Sequence, residues 1–226
     1  MKNQYFRTLL LILGIAGIVV FALYPNEKKV ECFEKDSMNF YPYGDSAGGM
    51  AFVEIEPFAF KCSLLYETGT CGMGFSFDEK KNWNLMDYLV LDMQSSANFK
   101  ELIVSVQTYD PGHTKSGDRS SLKPVMKELE LTGKKRYYIP MDQFYTPDYW
   151  FEQQRVRNTN NPKRFSIVAG LELFAGWKNT PNTELELKIE GVCVEGHSNV
   201  PFVILVAYIG ILIMAAISIR TKHTRS

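Results

Sequence analysis

Two groups of side chains in this sequence have types and spacing that could do chemistry. The first lies in KELIVSVQTYD, where Ser105, Gln107 and Tyr109 fall on every second residue, opposite Leu102, Val104 and Val106. A hydroxyl, an amide and a phenol ring on one strand face suit a sugar, which offers hydroxyls at its edge and apolar C–H faces. The second is IPMDQFYTPDYWFEQQR, which sets five aromatic rings into eight positions from Phe144 to Phe151. Of these, Phe144, Trp150 and Phe151 are expected to plug one end of a core, while Tyr145 and Tyr149 stay exposed as candidate ligand contacts. Thr146 is expected to cap a short helical turn, with Pro147 in its first position and Asp148 close behind. Trp177, in the polar loop AGWKNTPNT, is placed to overhang an edge and joins the candidate contacts.

Other chemistries find no matching pattern. There is no G-x-S-x-G elbow, no H-E-x-x-H helix and no Gly-rich phosphate loop between a strand and a helix, so neither catalysis nor a cofactor is expected. Glu128 and Glu130, like Glu184 and Glu186, alternate along strands and read as solvated faces, not as carboxylates opposed across a cleft. His113 lies in a loop rich in Gly, Ser and Asp and reads as a surface histidine. No zinc site is expected, because the cysteine spacing does not suit one and only His113 and His197 could add imidazole nearby; carboxylates are too scattered to assign a metal ligand, and a structural calcium stays open.

All four cysteines lie in the central part of the chain. An even number permits disulfides. Cys62 and Cys71 flank ETGT, which reads as a hairpin turn, so a local bridge is expected there; Cys32 and Cys193 could then clasp the two ends of the domain. Four cysteines allow three connectivities, and the residues leave that choice open.

The elements that must position these groups read as strands. GGMAFVEIE and AFKCSLLYE alternate with period two, GMGFSFD supplies Met73, Phe75 and Phe77, and DYLVLDM supplies Leu89, Leu91 and Met93. VMKELELTG, KRYYIPM and RFSIVAGLELFA follow. NTELELKIEGVCVEG then sets Leu185, Leu187, Ile189 and Cys193 on one face against Glu184, Glu186, Lys188 and Glu190. One polar face per strand predicts an all-β fold, an antiparallel jelly-roll sandwich of two packed sheets.

The two ends of the chain are unlike its middle. Thr8 to Tyr24 is an uncharged run of 17 residues and Val200 to Ile219 one of 20. Each reads as a transmembrane helix, the first as an uncleaved signal anchor. Lys2, Arg7, Arg220, Lys222 and Arg225 flank the runs and place both termini in the cytoplasm. The expected division is a cytoplasmic N-terminus at 1–7, spans at 8–24 and 200–219, a β-sandwich domain outside the cytoplasm at 25–199 and a cytoplasmic tail at 220–226. The chain carries 25 basic and 25 acidic side chains, and five of the basic ones sit at the ends. The central domain is therefore mildly acidic and lacks the field that nucleic-acid phosphates require.

WNLMDYLVLDMQSSANFKELIVSVQTYDPGH, KELELTGKKRYYIPMDQFYTPDYWFEQQR, FSIVAGLELFAG and TELELKIEGVCVEG together resemble galactose-binding-like jelly rolls related to family 11 carbohydrate-binding and CIA30 modules. The resemblance covers about Asp78 to Glu195 and contains no catalytic signature. It implies the sandwich fold, a carbohydrate ligand and the extracytoplasmic sensory regions of bacterial membrane regulators, although no output region follows the last run. Two roles are therefore expected. One is a non-catalytic accessory subunit of the bacterial inner membrane, presenting the sandwich to a larger envelope protein and packing its last span through Ala207, Gly210, Ala215 and Ala216. The alternative is a carbohydrate or small-ligand sensor that signals through a separate membrane partner.

Overall fold

A computed structural model describes residues 12–19, 28–34, 37–44, 50–56, 58–64, 69–157, 165–197 and 200–223. They form a β unit, Val30–Gly196, and a second unit from the two ends of the chain. The strands are β1 (Lys28–Cys32), β2 (Met38–Gly44), β3 (Met50–Glu56), β4 (Ala59–Leu64), β5 (Cys71–Lys81), β6 (Met86–Ser95), β7 (Glu101–Thr108), β8 (Lys123–Glu130), β9 (Arg136–Pro140), β10 (Val168–Ala175) and β11 (Glu184–His197). Helical residues are 12–19 (α1), Asp148–Gln154 (α2) and Val200–His223 (α3).

Period-two alternation gives most strands an apolar side, and the β unit buries the described ones of these between two sheets. One sheet has the order β3-β4-β11-β6-β9, with β1 also paired to β11; the other runs β2-β5-β10-β7-β8. The pairs along both orders are antiparallel. This is an all-β antiparallel sandwich. Phe60 and Leu64 from β4, Met73 and Phe75 from β5, Leu89 and Leu91 from β6 and Val104 and Val106 from β7 meet in one buried cluster.

Two local expectations change because consecutive strands often switch sheets. β4 and β5 lie in different sheets, so Cys62 and Cys71, joined by a disulfide, staple the sheets together and do not close a hairpin. Both cysteines face inward among core residues, and side chains that both point into one core meet across it. Residues 65–68, which include the first half of ETGT, lie outside the described residues. In β11, Leu185, Leu187 and Ile189 are buried as expected, but a register shift between Ile189 and Gly191 reverses the alternation. Val192 and Val194 then face inward, and Cys193 turns out of the apolar row to bond Cys32. One extra residue in a strand moves every later side chain to the other face.

In the unit formed by the chain ends, the Tyr208 hydroxyl donates to the Leu13 carbonyl at 2.9 Å. The Tyr208 ring crosses Gly17, where a Cβ would come within 2.4 Å of it.

The expectation of a membrane span at each end is overturned. Among the described residues, no helix is long and apolar enough to cross a membrane. Side chains are described without a break only over 12–19 in α1 and 202–214 in α3, which rise about 12 and 20 Å against a hydrocarbon core of about 30 Å. The outer parts of the 8–24 run lie outside the described residues. With the spans go the membrane-anchored accessory role, the membrane partner reached through Ala207, Gly210, Ala215 and Ala216, and the inner-membrane location with both termini cytoplasmic.

Candidate functional site

The outer face of the five-stranded sheet is where polar groups converge. Register sets a single row across all five strands: Tyr41 opposes Gly74, Gly74 opposes Glu172, Glu172 opposes Ser105 and Ser105 opposes Met126. Four inter-strand steps make this row about 19 Å long. A neighbouring row runs Asn39, Ser76, Gly170, Gln107 and Pro124. The glycines leave the middle of the face low. Tyr41 leans across Gly74, where a Cβ would come within 2.2 Å of the ring. The opposite sides of these strands carry Phe75, Leu171, Val106 and Val125, which belong to the core, so the alternation that builds the sandwich also fixes this surface.

Hydrogen bonds tie the row into a network. Glu172 Oε1 accepts from the Tyr41 hydroxyl at 2.9 Å and Oε2 from Gln107 Nε2 at 2.6 Å. Gln107 Nε2 also donates to Ser105 Oγ at 3.0 Å. Burial pushes the Glu172 carboxyl above its ordinary range, while Tyr41, the Arg119 charge and Gln107 pull it back. The loop after β7 folds over this end of the sheet. Asp118 Oδ1 accepts from Ser120 N at 3.0 Å and caps the 3-10 turn Arg119–Ser121, which brings the Arg119 guanidinium to 4.0 Å from the Tyr41 ring centroid. A cleft of about 230 Å³ results, lined by Tyr41, Lys80, Gln107, Arg119, Gly170 and Glu172 among others.

Of the side chains singled out in the sequence, Gln107 lines this cleft and Ser105 supports it from below, 1% exposed. Tyr109 is half-buried just beyond β7, with the Lys80 ammonium 4.6 Å from its ring centroid. Tyr149 stands at the β8 end of the row. Its hydroxyl lies 3.8 Å from Met126 Sδ, its ring is 46% exposed, and burial of the hydroxyl together with the Glu172 charge pushes its pKa up to about 12. Tyr145 is exposed to a similar degree and closes the free edge of β8: its backbone pairs with Met126 in both directions, and its hydroxyl donates to Glu128. Burial and the Glu128 carboxylate hold that hydroxyl well above the ordinary phenol range. Trp177, 53% exposed, follows the far end of β10; Ala175 alone lies five residues past Gly170, roughly 17 Å along the strand. It does not join the others.

The aromatic segment divides differently from the expected plug. Phe144 enters the inter-sheet core, edge-on to Phe165 at 6.1 Å. Trp150 and Phe151 are buried outside that cluster, packed on each other at 5.4 Å, with His113 against Trp150 at 5.6 Å. His113 is therefore a packed loop residue held by Asp110 at 3.1 Å. Helix α2 starts one residue later than expected. Pro147 is its N-cap, without a side-chain cap bond, and the Thr146 hydroxyl is buried with no hydrogen-bond partner among the described residues. Among the described residues no group of acidic, His or Cys side chains could hold a metal ion.

Sequence reasoning missed Tyr41, Lys80, Arg119 and Glu172. Glu172 had a signal, because GLEL places Gly170 and Glu172 together on the side of β10 opposite Leu171 and Leu173. Tyr41 and Arg119 had none, since their strand and loop come to this face only through pairing and loop closure.

No family model and no curated protein matches the chain. Among solved structures, the family 30 carbohydrate-binding module of a cellulosomal cellulase of Clostridium thermocellum is similar at 7% identity and TM-score 0.46, over 74% of this chain and 96% of that one. The family 11 module of another cellulosomal cellulase of the same organism is similar at 10% identity and TM-score 0.43, over 76% and 89%. A low-affinity xylan-binding module of Roseburia intestinalis is similar at 12% identity and TM-score 0.38, over 77% and 98%. These are distant likenesses between β-sandwiches and carry nothing about a ligand.

Proposed function

We propose that the β unit is a non-catalytic module that binds a carbohydrate on the outer face of its five-stranded sheet. The observation that supports this reading is the register row, which gathers Tyr41, Glu172, Gln107 and Ser105 into one hydrogen-bonded network beside a cleft. Recognition of a hydroxyl-rich ring needs polar groups fixed before the ligand arrives, and each bond of this network removes a rotamer choice from the free protein. Tyr149 supplies an exposed ring at one end of the row, with Tyr109 near the other side of the cleft. At about 230 Å³ the cleft is smaller than the roughly 300–1,000 Å³ of sites that enclose drug-sized ligands. It suits one sugar residue, or the end of a chain whose further residues lie across the face.

The test is a glycan array probed with the full chain, followed by titration of each hit against Gln107→Ala and Tyr149→Ala. Loss of about tenfold or more in affinity for both variants is the expected result, with circular dichroism checking that each stays folded, because Gln107→Ala also removes a bond to Glu172 and lowers the melting temperature. An array without hits, or hits that ignore both substitutions, would remove the carbohydrate reading from this face.

A further inference from the structure

The cleft offers a sugar little of what a neutral sugar requires. The two aromatic rings beside it already carry cations: the Arg119 guanidinium lies 4.0 Å from the Tyr41 centroid and the Lys80 ammonium 4.6 Å from that of Tyr109. A C–H face would have to displace a charge to stack there. Several polar groups of the lining are engaged internally as well, its two carboxylates among them. Both Glu172 oxygens accept internal bonds, both N–H groups of the Gln107 amide are donated to Ser105 and Glu172, and Asp78, also in the lining, accepts from Asn39 at 2.7 Å.

Two cations stand open beside them. Arg119 and Lys80 both line the cleft and are exposed. Among the described residues neither side chain makes a hydrogen bond or a salt bridge; each has only its ring contact and, for Arg119, the longer-range field of Glu172. A guanidinium resting on a ring is held in orientation yet keeps its N–H edge free, and that planar edge matches a carboxylate in two parallel bonds. The two carboxylates of the lining that would oppose such a ligand already accept hydrogen bonds, Glu172 from Tyr41 and Gln107 and Asp78 from Asn39.

We infer that the cleft takes an acidic sugar, a uronate whose carboxylate is received by the Arg119 guanidinium with the Lys80 ammonium beside it. This rests on the reading of the cleft as a carbohydrate site and names the class of sugar.

The experiment is calorimetric titration of the full chain with trisaccharides of galacturonate and glucuronate, their methyl esters, and the matching neutral galactose and glucose trisaccharides. The ester keeps the shape of the ring and removes the charge. A uronate trisaccharide is expected to bind about tenfold or more tightly than its ester. Arg119→Gln and Lys80→Gln should each erase most of that advantage, and raised salt should shrink it. Both residues are exposed, so an unchanged melting temperature separates lost recognition from lost folding. Equal binding of acid and ester, or an acid preference that survives both substitutions, overturns the acidic-sugar inference while leaving the carbohydrate cleft in place. Tighter binding of a sulfated galactose trisaccharide than of either uronate overturns the carboxylate assignment. Failure of every saccharide overturns the inference and the carbohydrate reading together.

Discussion

Gly74→Ala tests the architecture of the cleft most directly. A Cβ on Gly74 would stand 2.2 Å from Tyr41 Cζ and 2.5 Å from the Tyr41 hydroxyl oxygen, whereas unstrained heavy-atom contacts begin near 3.5 Å. The ring must therefore shift by more than 1 Å, which breaks the 2.9 Å bond to Glu172 and takes Arg119 with it. Overpacking costs about 1–3 kcal/mol, and a lost bond to a carboxylate about 1.5–3 kcal/mol, part of it recovered where the displaced groups meet water. A net loss of about 2–3 kcal/mol is expected, or roughly 5–10 °C in melting temperature for a domain of this size. The decisive assay is a double-mutant cycle read by denaturant unfolding. Tyr41→Ala alone removes the same bond, so adding Gly74→Ala to it should cost less than about 0.5 kcal/mol, because a strand alanine is intrinsically preferred to glycine. The coupling between the two positions should reach about 2 kcal/mol. Additive effects within about 0.5 kcal/mol would mean that Tyr41 does not lie on Gly74, and the cleft wall derived from that contact would be wrong.

Three further outcomes follow from the packing and the charges. Cys32–Cys193 closes a separation of 161 residues and Cys62–Cys71 one of nine; chain entropy then gives about 5 and 2.6 kcal/mol, so paired Ser replacements should lower the unfolding free energy more at the first bridge, and nonreducing peptide mapping should recover these two pairs. Glu172 has a folded pKa raised above its unfolded value, mainly by burial. Its contribution to stability is therefore fully present below the unfolded carboxylate pKa and is lost as pH rises through the folded one. The difference in unfolding free energy between wild type and Glu172→Gln should move against wild type across that window, and a flat difference would contradict a buried carboxylate. Phe144, fully buried against Phe165, should cost about 3–5 kcal/mol when replaced by Ala, whereas Tyr145→Phe, at an exposed ring, should cost less than about 1 kcal/mol in the same denaturant series.

How far the site was legible depends on how far apart its parts lie in the chain. Ser105 and Gln107 were readable as one face because period two along a single strand is local, whereas Tyr109 falls just beyond β7; in the 144–151 segment the buried and exposed rings were readable, but not that Trp150 and Phe151 pack outside the inter-sheet core. The start of α2 shifted by one residue because Thr146 and Pro147 are both competent at a helix entry, and packing chose Pro147 as the cap. The spans expected at the chain ends came from apolarity and length in one dimension, and the described helices do not supply both.

The sequence by itself determined which side of most strands faces a core, because alternation of side chains is a property of extended backbone and needs no partner. It also determined that two sheets must exist to bury that many one-sided strands. Only the tertiary structure decided which strands become neighbours. Tyr41 reaches Glu172 across 131 residues, Cys62 meets Cys71 between sheets and not within a hairpin, and a one-residue bulge in β11 turns Cys193 toward Cys32. Each outcome depends on register between segments distant in the chain, where a slip of one residue exchanges the two faces of a strand and composition is unchanged.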